Sequence, residues 1–188
     1  MISATAVKEL REISGAGMMD CKKALQEAEG DIKKAMEVLR KNGIAKAQKK
    51  VGRSASDGVV IPYIHPGSKL GVLLEVNCET DFVARTEGFQ DFCKDVAMHI
   101  AAASPLTVLR EELSEEVVET EKNIFRDQSK KSGKPDEIIE KMIDGRMNKF
   151  YQENVLMEQS FVKNPDLSIT DLLTETIAKL GENISIAR

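Results

Sequence analysis

Apolar residues recur every three to four positions along the first 45 residues, which is the spacing of amphipathic helices. The first helix can be capped by Ser3 or Thr5, and the Gly-Ala-Gly sequence at 15–17 ends it. Its apolar face consists of Ala6, Leu10 and Ile13. The pattern therefore predicts one helix between these two signals.

Two more helices follow with the same periodicity. Gly30 closes the second as a C-terminal cap, Asp31 is placed to cap the third, and Asn42-Gly43 marks a break or a weakening of the helix. The apolar positions are Met18, Cys21, Leu25 and Ala28 in the second helix and Ile32, Ala35, Met36 and Leu39 in the third. Helices of this size can share a small core, so we predict a three-helix domain over residues 1–45 and a basic, partly helical linker over 46–56.

The pattern becomes mixed after residue 56. Residues 59–64 and 70–76 are typical of two strands joined by a Pro-Gly turn, and residues 87–103 and 171–180 have helical spacing. Charged, helix-forming residues over 115–152, interrupted at 132–135, predict an antiparallel helical hairpin. Residues 181–187 alternate like a strand and the chain ends inside it, which indicates a short edge strand or a truncated chain. We expect residues 57–188 to form an α+β core with a small antiparallel sheet.

Composition narrows the class of protein. The chain has 188 residues, of which 41% are hydrophobic and 31% charged, as in folded globular proteins. No apolar run approaches the roughly 20 residues of a membrane span, and the N-terminus lacks the regions of a signal peptide. Cys21, Cys78 and Cys93 show neither a CxxC pair nor metal-ligand spacing, which favours a reduced, cytoplasmic protein.

The charges are distributed unevenly. Residues 1–53 carry 12 Lys and Arg against 7 Asp and Glu, whereas residues 54–188 carry 15 against 24. A basic front on an acidic body indicates two units with different surfaces. It does not by itself indicate nucleic-acid binding, because the chain has two tyrosines and no tryptophan to stack on bases, and both tyrosines lie in the acidic part. We expect no direct nucleic-acid partner and no membrane partner.

The motifs of common enzymes are missing from the sequence. The segment SGKP, residues 132–135, lacks the upstream glycine of a phosphate-binding loop and has proline where that loop binds Mg²⁺, so we interpret it as a loop between helices. His65 and His99 have no carboxylate or cysteine at the spacing of a triad or metal site. The sequence predicts no catalytic residue, no cofactor and no metal.

Two segments carry a resemblance to a known family. They are LR followed by GAGMMDCKKAL, within residues 10–25, and EVNCETDFVAR, residues 75–85. Both resemble the signature segments of bacterial elongation factor Ts, in the same order. Residues 97–102, 132–135 and 140–147 are similar to the same family. The resemblance covers nearly the whole chain, which looks like the short form with a single core subdomain.

The resemblance implies a fold, a partner and a site. Members of the family are guanine-nucleotide exchange factors for elongation factor Tu, with a three-helix domain like ubiquitin-associated domains followed by an α+β core. In the family, the aspartate and phenylalanine of the second segment enter the GTPase near its nucleotide and disturb Mg²⁺ and phosphate coordination. By motif, Asp81 and Phe82 take that role here, framed by Thr80 and Val83.

The resemblance also implies secondary contacts with the GTPase. The residues concerned are His99 in the core and Arg11, Met18 and Met19 in the N-terminal domain. An exposed edge of the core sheet would in addition favour a homodimer.

Other interpretations stay open at this point. From composition alone, Phe82 is more simply a core residue at a helix start. The chain could be an RNA-binding adaptor with a basic N-terminal grip, which steep salt dependence would reveal, or a small-molecule enzyme using Cys78 or Cys93, which would need a depressed cysteine pKa. It could also serve mainly as a stabilising chaperone for the GTPase.

Overall fold

The protein is a mixed α+β structure in a computed structural model that describes residues 2–130 and 135–188. The described helices are α1 (Ala4–Ser14), α2 (Met18–Glu27), α3 (Ile32–Gln48), α4 (Asp81–Ala84), α5 (Glu87–Ala103), α6 (Glu115–Lys130), α7 (Asp136–Asn154) and α8 (Ile169–Leu180). The strands are β1 (Asp57–Ile64), β2 (Gly71–Cys78), β3 (Ser160–Phe161), β4 (Asn164–Ser168) and β5 (Ile184–Ile186). These elements confirm the predicted fold class: three N-terminal helices, a small antiparallel sheet, packed helices and a helical hairpin.

Local capping signals set the ends of the first three helices. The Ser3 hydroxyl accepts the Ala6 N–H at 3.1 Å, and the Asp31 carboxylate accepts the Lys34 N–H at 3.1 Å, so each satisfies a backbone donor that the helix cannot. Gly15 ends α1 in a left-handed conformation. The helices enclose a core of buried residues, which are Val7, Leu10, Cys21, Ala24, Leu25, Ala28 and Ala35.

Two predictions about these helices were wrong. Of the break or weakening predicted at Asn42-Gly43, the break is excluded, because helix α3 continues to Gln48. A Cβ built on Gly43 would lie 3.3 Å from the Cβ of Ala178, so the glycine marks a close approach of α8 to α3 rather than a helix end. Ile13, predicted on the apolar face of α1, leaves 59% of its surface exposed.

The three-stranded sheet has the order β1-β2-β5. The connection between β1 and β2 is short, which requires an antiparallel pair, and the His65 N–H closes it by donating to the Leu70 carbonyl at 2.9 Å. A second, two-stranded sheet pairs β3 with β4 in antiparallel register, and the sequence pattern did not predict it.

The helical hairpin is formed by α6 and α7. Its shared apolar face buries Ile139, Ile143 and Met147 of α7, against which Val118, Phe125, Phe150 and Tyr151 pack. Arg146 extends from α7 to α6, where it donates to the Gln128 side chain and lies 5.7 Å from the centre of the Phe125 ring. Residues 132–134 of the predicted loop lie outside the described residues, and Pro135 directly precedes α7.

The chain divides into two compact units, each built from separate stretches of sequence. The first contains the chain up to Val59, Glu75–Phe92 and Asp171–Ser185, and the second contains Val60–Leu74, Cys93–Thr170 and Ile186–Arg188. The boundaries predicted from sequence, at 1–45, 46–56 and 57–188, stay a prediction. Every helix within the described ranges is too short or too polar to cross a bilayer.

Candidate functional site

The segment that stands out in the sequence forms a short helix directly after strand β2. Thr80 has extended backbone angles, and its hydroxyl oxygen accepts the Val83 N–H at 3.4 Å, so it caps α4. Cys78, at the end of β2, is buried and donates its thiol to the Thr80 carbonyl at 3.2 Å. The turn between strand and helix is thereby tied to the buried end of the strand.

Phe82 lies on the outer side of this short helix. Its side chain is 80% exposed, whereas Ala84, at the end of the same helix, and Phe89, in α5, are buried. An aromatic side chain usually buries most of its area, so an exposed ring within an ordered turn makes Phe82 a candidate for contact with a partner. The interpretation of Phe82 as a core residue is therefore wrong.

The C-terminal end of α4 is held as firmly as its start. The Thr86 hydroxyl donates to the Val83 carbonyl at 2.8 Å and accepts the Phe89 N–H at 3.3 Å. The Gln90 amide donates to the Ala84 carbonyl at 2.7 Å. The bond from Gln90 satisfies the Ala84 carbonyl, and the bond from the Thr86 hydroxyl adds to the Thr86 N–H, which also donates to the Val83 carbonyl at 3.0 Å. The backbone that carries Phe82 is therefore fixed on both sides.

The neighbours of Phe82 differ in exposure. Asp81 is exposed and pairs with Arg85 at 2.9 Å on the surface, an interaction that solvent weakens to a small contribution. Val83 is half-buried. Asp81 and Phe82 thus lie side by side at the surface, and the half-buried residues Thr80 and Val83 flank them in the chain.

Four residues that sequence reasoning missed hold this loop in place. The carboxylate of Glu182 accepts the Glu79 N–H at 3.1 Å, the Thr80 N–H at 3.0 Å and the Thr80 hydroxyl at 2.6 Å. In return, the Glu79 carboxylate accepts the Asn183 N–H at 2.6 Å and contacts the Arg53 guanidinium at 3.4 Å. The Asn183 amide donates to the Arg53 carbonyl at 2.8 Å. We call these four residues, Arg53, Glu79, Glu182 and Asn183, the clasp.

The electrostatics of the clasp favour the charged form of the Glu79 carboxylate. The Asn183 N–H lowers the pKa of the Glu79 carboxyl below its ordinary value, and the Arg53 guanidinium adds to the effect. Burial, followed by the nearby Glu182 carboxylate, raises the pKa of the Cys78 thiol. A raised pKa is the opposite of what an activated cysteine needs, which counts against an enzyme that uses Cys78 as its nucleophile.

The predicted N-terminal contact residues lie around the junction of α1 and α2. Arg11 is exposed in the last turn of α1, and Met18 and Met19 are exposed at the start of α2. Ile13 adds a fourth exposed side chain to this region. Long, flexible methionine side chains adapt well to a partner surface, and here they lie outside the small core.

His99 does not lie on the surface. It is fully buried, and it accepts the Val162 N–H at Nδ1 over 3.3 Å. Its Nε2 then carries the proton and donates to the Gln159 side chain at 2.9 Å. Gln159 in turn donates to the Glu153 carbonyl at 2.8 Å. A direct contact with a partner is not available to His99 in this structure, since the ring has no exposed surface.

The buried state of His99 predicts a pH-dependent stability. Burial lowers the pKa of His99, because protonation would leave a charge inside and set an N–H against that of Val162. In the unfolded chain this histidine takes up its proton near pH 6.5. The contribution of neutral His99 to the free energy of unfolding is therefore fully present above that pH. As the pH falls below 6.5, the free energy of unfolding decreases by at most about 1.4 kcal/mol per pH unit. Urea unfolding at steps between pH 7.5 and 5.5 measures the slope.

Two variants control this measurement. His99→Gln should remove the slope between pH 6.5 and 5.5, although the variant is less stable throughout. His65→Gln, which removes the exposed histidine of the β1–β2 turn, should keep the wild-type slope. A wild-type stability that does not change over this range would contradict the assignment of a neutral, Nδ1-accepting His99.

Within residues 2–130 and 135–188 there is no group of three or more metal-ligating side chains. A prominent feature is the exposed aromatic residue Phe82, on a loop whose two ends are held by hydrogen bonds, in a fold that begins with three short helices. An exposed aromatic residue on an ordered loop is typical of proteins that bind other proteins, which makes this loop the candidate binding site.

Comparisons with known proteins agree on the family. The model of the family described as Elongation factor TS matches residues 2–188. The chain is 62% identical over 187 residues to an elongation factor Ts of Geotalea daltonii, which covers all of this chain and 87% of that protein. It is 57% identical over 188 residues to that of Thermosipho melanesiensis, which covers all of this chain and 96% of that protein. The chain belongs to the elongation factor Ts family, whose members are translation factors.

Proposed function

We propose that this protein is a guanine-nucleotide exchange factor for elongation factor Tu, and that it acts in the elongation phase of translation in the cytoplasm. It binds the GDP form of the GTPase and speeds release of GDP. The observation that carries the proposal is the 80% exposed ring of Phe82 on a loop fixed at both ends, in a chain of this family. Rigid aromatic residues of this kind dominate the binding energy of many interfaces.

In the proposed mechanism Phe82 acts as a wedge. Its ring enters the GTPase domain near the nucleotide, and because protein interiors are close-packed, the ring displaces side chains and backbone there. Asp81 accompanies it into the same region. Mg²⁺ requires near-ideal octahedral geometry, so a small movement of its ligands weakens its hold on the phosphates. No covalent bond is made or broken.

The thermodynamics of exchange are those of two mutually weakening ligands. If the exchange factor lowers the affinity for GDP, GDP lowers the affinity for the exchange factor by the same ratio. Each ~1.4 kcal/mol taken from GDP binding increases its release about tenfold when the association rate is unchanged. A loop that is ordered before binding strengthens the interaction, because no free energy is lost in ordering it when the complex forms.

The N-terminal domain supplies a second contact in this proposal. Arg11, Met18 and Met19 dock on the GTPase, with Ile13 beside them, and hold the exchange factor while the wedge acts. In this proposal His99 acts without touching the GTPase. It is hydrogen-bonded to Gln159 and to the Val162 N–H, and these two bonds order the β3–β4 hairpin.

The core sheet is proposed as the surface of a homodimer. Val60 and Ile64 of β1 and Leu73 of β2 are exposed apolar side chains on this hairpin. Exposed apolar positions on neighbouring strands favour pairing with a second copy. Sedimentation velocity across a range of concentrations checks this, and a single monomer species at the highest concentration would exclude it.

Removal of Mg²⁺ tests the mechanism apart from the function. With excess EDTA the GTPase has no Mg²⁺, so GDP leaves faster even without the exchange factor. The factor can then no longer accelerate release by displacing Mg²⁺. We therefore expect the acceleration by this protein to fall at least about tenfold in EDTA relative to millimolar Mg²⁺. Stopped-flow release of fluorescent GDP measures both conditions. An acceleration factor that is the same in both would exclude Mg²⁺ displacement as the route.

A further inference from the structure

We give the name exchange loop to residues 79–84, which comprise the turn after β2 and helix α4. We propose that Glu182 is a positioning residue for this loop, and that it sets the position of Phe82 through Thr80. The inference rests on the proposed exchange function. Glu182 lies 102 positions from Thr80 in the chain, yet its carboxylate accepts all three hydrogen bonds that the Glu79 N–H, the Thr80 N–H and the Thr80 hydroxyl can donate. A single side chain therefore satisfies three hydrogen-bond donors of the turn that leads into α4.

The carboxylate acts on the cap of the helix that carries Phe82. Donation of the Thr80 hydroxyl proton to Glu182 at 2.6 Å fixes the rotation of that hydroxyl. Its oxygen lone pairs are then available for the Val83 N–H, the bond that caps α4. Hydrogen bonds to a charged acceptor are stronger than neutral ones, so Glu182 orients the cap more firmly than water would.

The clasp is reciprocal, which distinguishes it from an ordinary surface carboxylate. Glu182 accepts backbone N–H groups at 79 and 80, while Glu79 accepts the backbone N–H of Asn183 at 2.6 Å. Asn183 also anchors the carbonyl of Arg53, whose guanidinium contacts Glu79. Each glutamate thus orders the loop that carries the other, and both are half-buried. Networks of this kind lose more than one bond when one member is removed.

The chain places Glu182 by ending a helix directly before it. The Gly181 N–H donates to the Ile177 carbonyl at 2.8 Å, and Gly181 has a φ of +78°, the left-handed conformation that ends α8. Strand β5 begins three residues after Gly181, at Ile184, which is buried. Glu182 and Asn183 are therefore held between a helix end and a strand start, which makes them a rigid support for the loop.

The test compares Glu182→Ala and Glu182→Gln with the wild type in stopped-flow release of fluorescent GDP from elongation factor Tu, over a range of factor concentrations. We expect the plateau rate to fall about tenfold for Glu182→Ala, with less than about a threefold change in the half-saturating concentration. Glu182→Gln keeps the size and one acceptor oxygen, so we expect it to stay within about threefold of the wild-type plateau. A merely structural role would not give this separation of plateau from half-saturation.

A double variant tests whether Glu182 acts through Phe82. In a Phe82→Ala background, Glu182→Ala should leave the remaining release rate unchanged, because the residue that it positions is gone. A Glu182→Ala variant that keeps its plateau within twofold of the wild type would overturn the proposal. A further loss in the Phe82→Ala background, down to the spontaneous rate of GDP release, would overturn it as well.

Amide hydrogen exchange separates this proposal from the exchange function. In the isolated protein, Glu182→Ala should increase the exchange rates of the Glu79 and Thr80 amides about tenfold or more, while the amides of α7 stay unchanged. If the wild type fails to speed GDP release, the proposed function fails, and faster exchange at these two amides would still support the clasp as the support of the loop. Unchanged exchange at Glu79 and Thr80 would overturn it.

Discussion

Replacing Phe82 with alanine should lower the plateau rate of GDP release from elongation factor Tu at least about 30-fold. An anchoring aromatic side chain contributes about 2 kcal/mol or more at a protein interface, and 1.4 kcal/mol corresponds to a factor of ten. Because the ring is 80% exposed, the same change should alter the free energy of unfolding by no more than about 0.5 kcal/mol. The loss of activity is therefore expected in a protein that is otherwise intact.

Leu106→Ala is the matched control for this variant. It also truncates a large apolar side chain that is more than half exposed, but in the segment after α5. We expect elongation factor Tu to release GDP as fast with Leu106→Ala as with the wild-type protein. Full activity in Phe82→Ala would keep the function open and exclude the wedge, whereas binding without exchange in that variant would speak against a purely stabilising role.

Replacing Gly58 with alanine should destabilise the protein by roughly 3 kcal/mol or more. Gly58 has a φ of +144°, and a Cβ built on it would lie 2.2 Å from the carbonyl oxygen of Val76 and 2.7 Å from the Cα of Asn77. The obstruction is backbone, which cannot turn aside as a side chain can. Because Asn77 and Cys78 lead into the exchange loop, GDP release should fall as well. Chemical denaturation monitored by circular dichroism measures the stability.

The same substitution at Gly145 provides the control. Gly145 lies within α7, and an added Cβ meets nothing within 4 Å there. Alanine is favoured over glycine in a helix by about 1 kcal/mol, so Gly145→Ala should leave stability unchanged or raise it by up to that amount. A Gly58→Ala variant as stable as Gly145→Ala would show that β1 and β2 do not pair as described.

The helices whose ends are set by neighbouring residues could be predicted from sequence. Asp31 caps α3 as expected, Ser3 caps α1 out of the two candidates Ser3 and Thr5, and Gly15 ends α1. Each of these interactions spans no more than four residues. Helix α5 has the predicted bounds, 87–103, since its apolar spacing is regular and a proline follows. In such segments the local signals and the final packing agree.

Features that depend on distant contacts could not be predicted in this way. The β3–β4 hairpin is short and contains a proline, and it is held by bonds such as that from Val162 to His99. The sequence at Asn42-Gly43 has the composition of a break, but the approach of Ala178 accounts for the glycine. The burial of His99 likewise depends on residues that lie 60 positions away.

The candidate site divides along the same line. The resemblance predicts a site at Thr80, Asp81, Phe82 and Val83. This assignment stays a prediction, and the exposure of Phe82 is compatible with it. Nothing in the sequence pairs Glu79 with Asn183 or Thr80 with Glu182, because those bonds join segments more than 100 residues apart. A glycine followed by two polar residues between a helix and a strand was the only local sign of the clasp, and it is a weak one.

The rate of GDP release from elongation factor Tu at saturating concentrations of the wild-type protein tests the central claim most directly. Fluorescent GDP bound to the GTPase is mixed with excess unlabelled GDP, with and without this protein, at millimolar Mg²⁺. We expect release about 100-fold faster than the spontaneous rate, which lies within the range of coupling free energies between two ligands. Release at the spontaneous rate, by a folded protein that is shown to bind the GTPase, would contradict the exchange function.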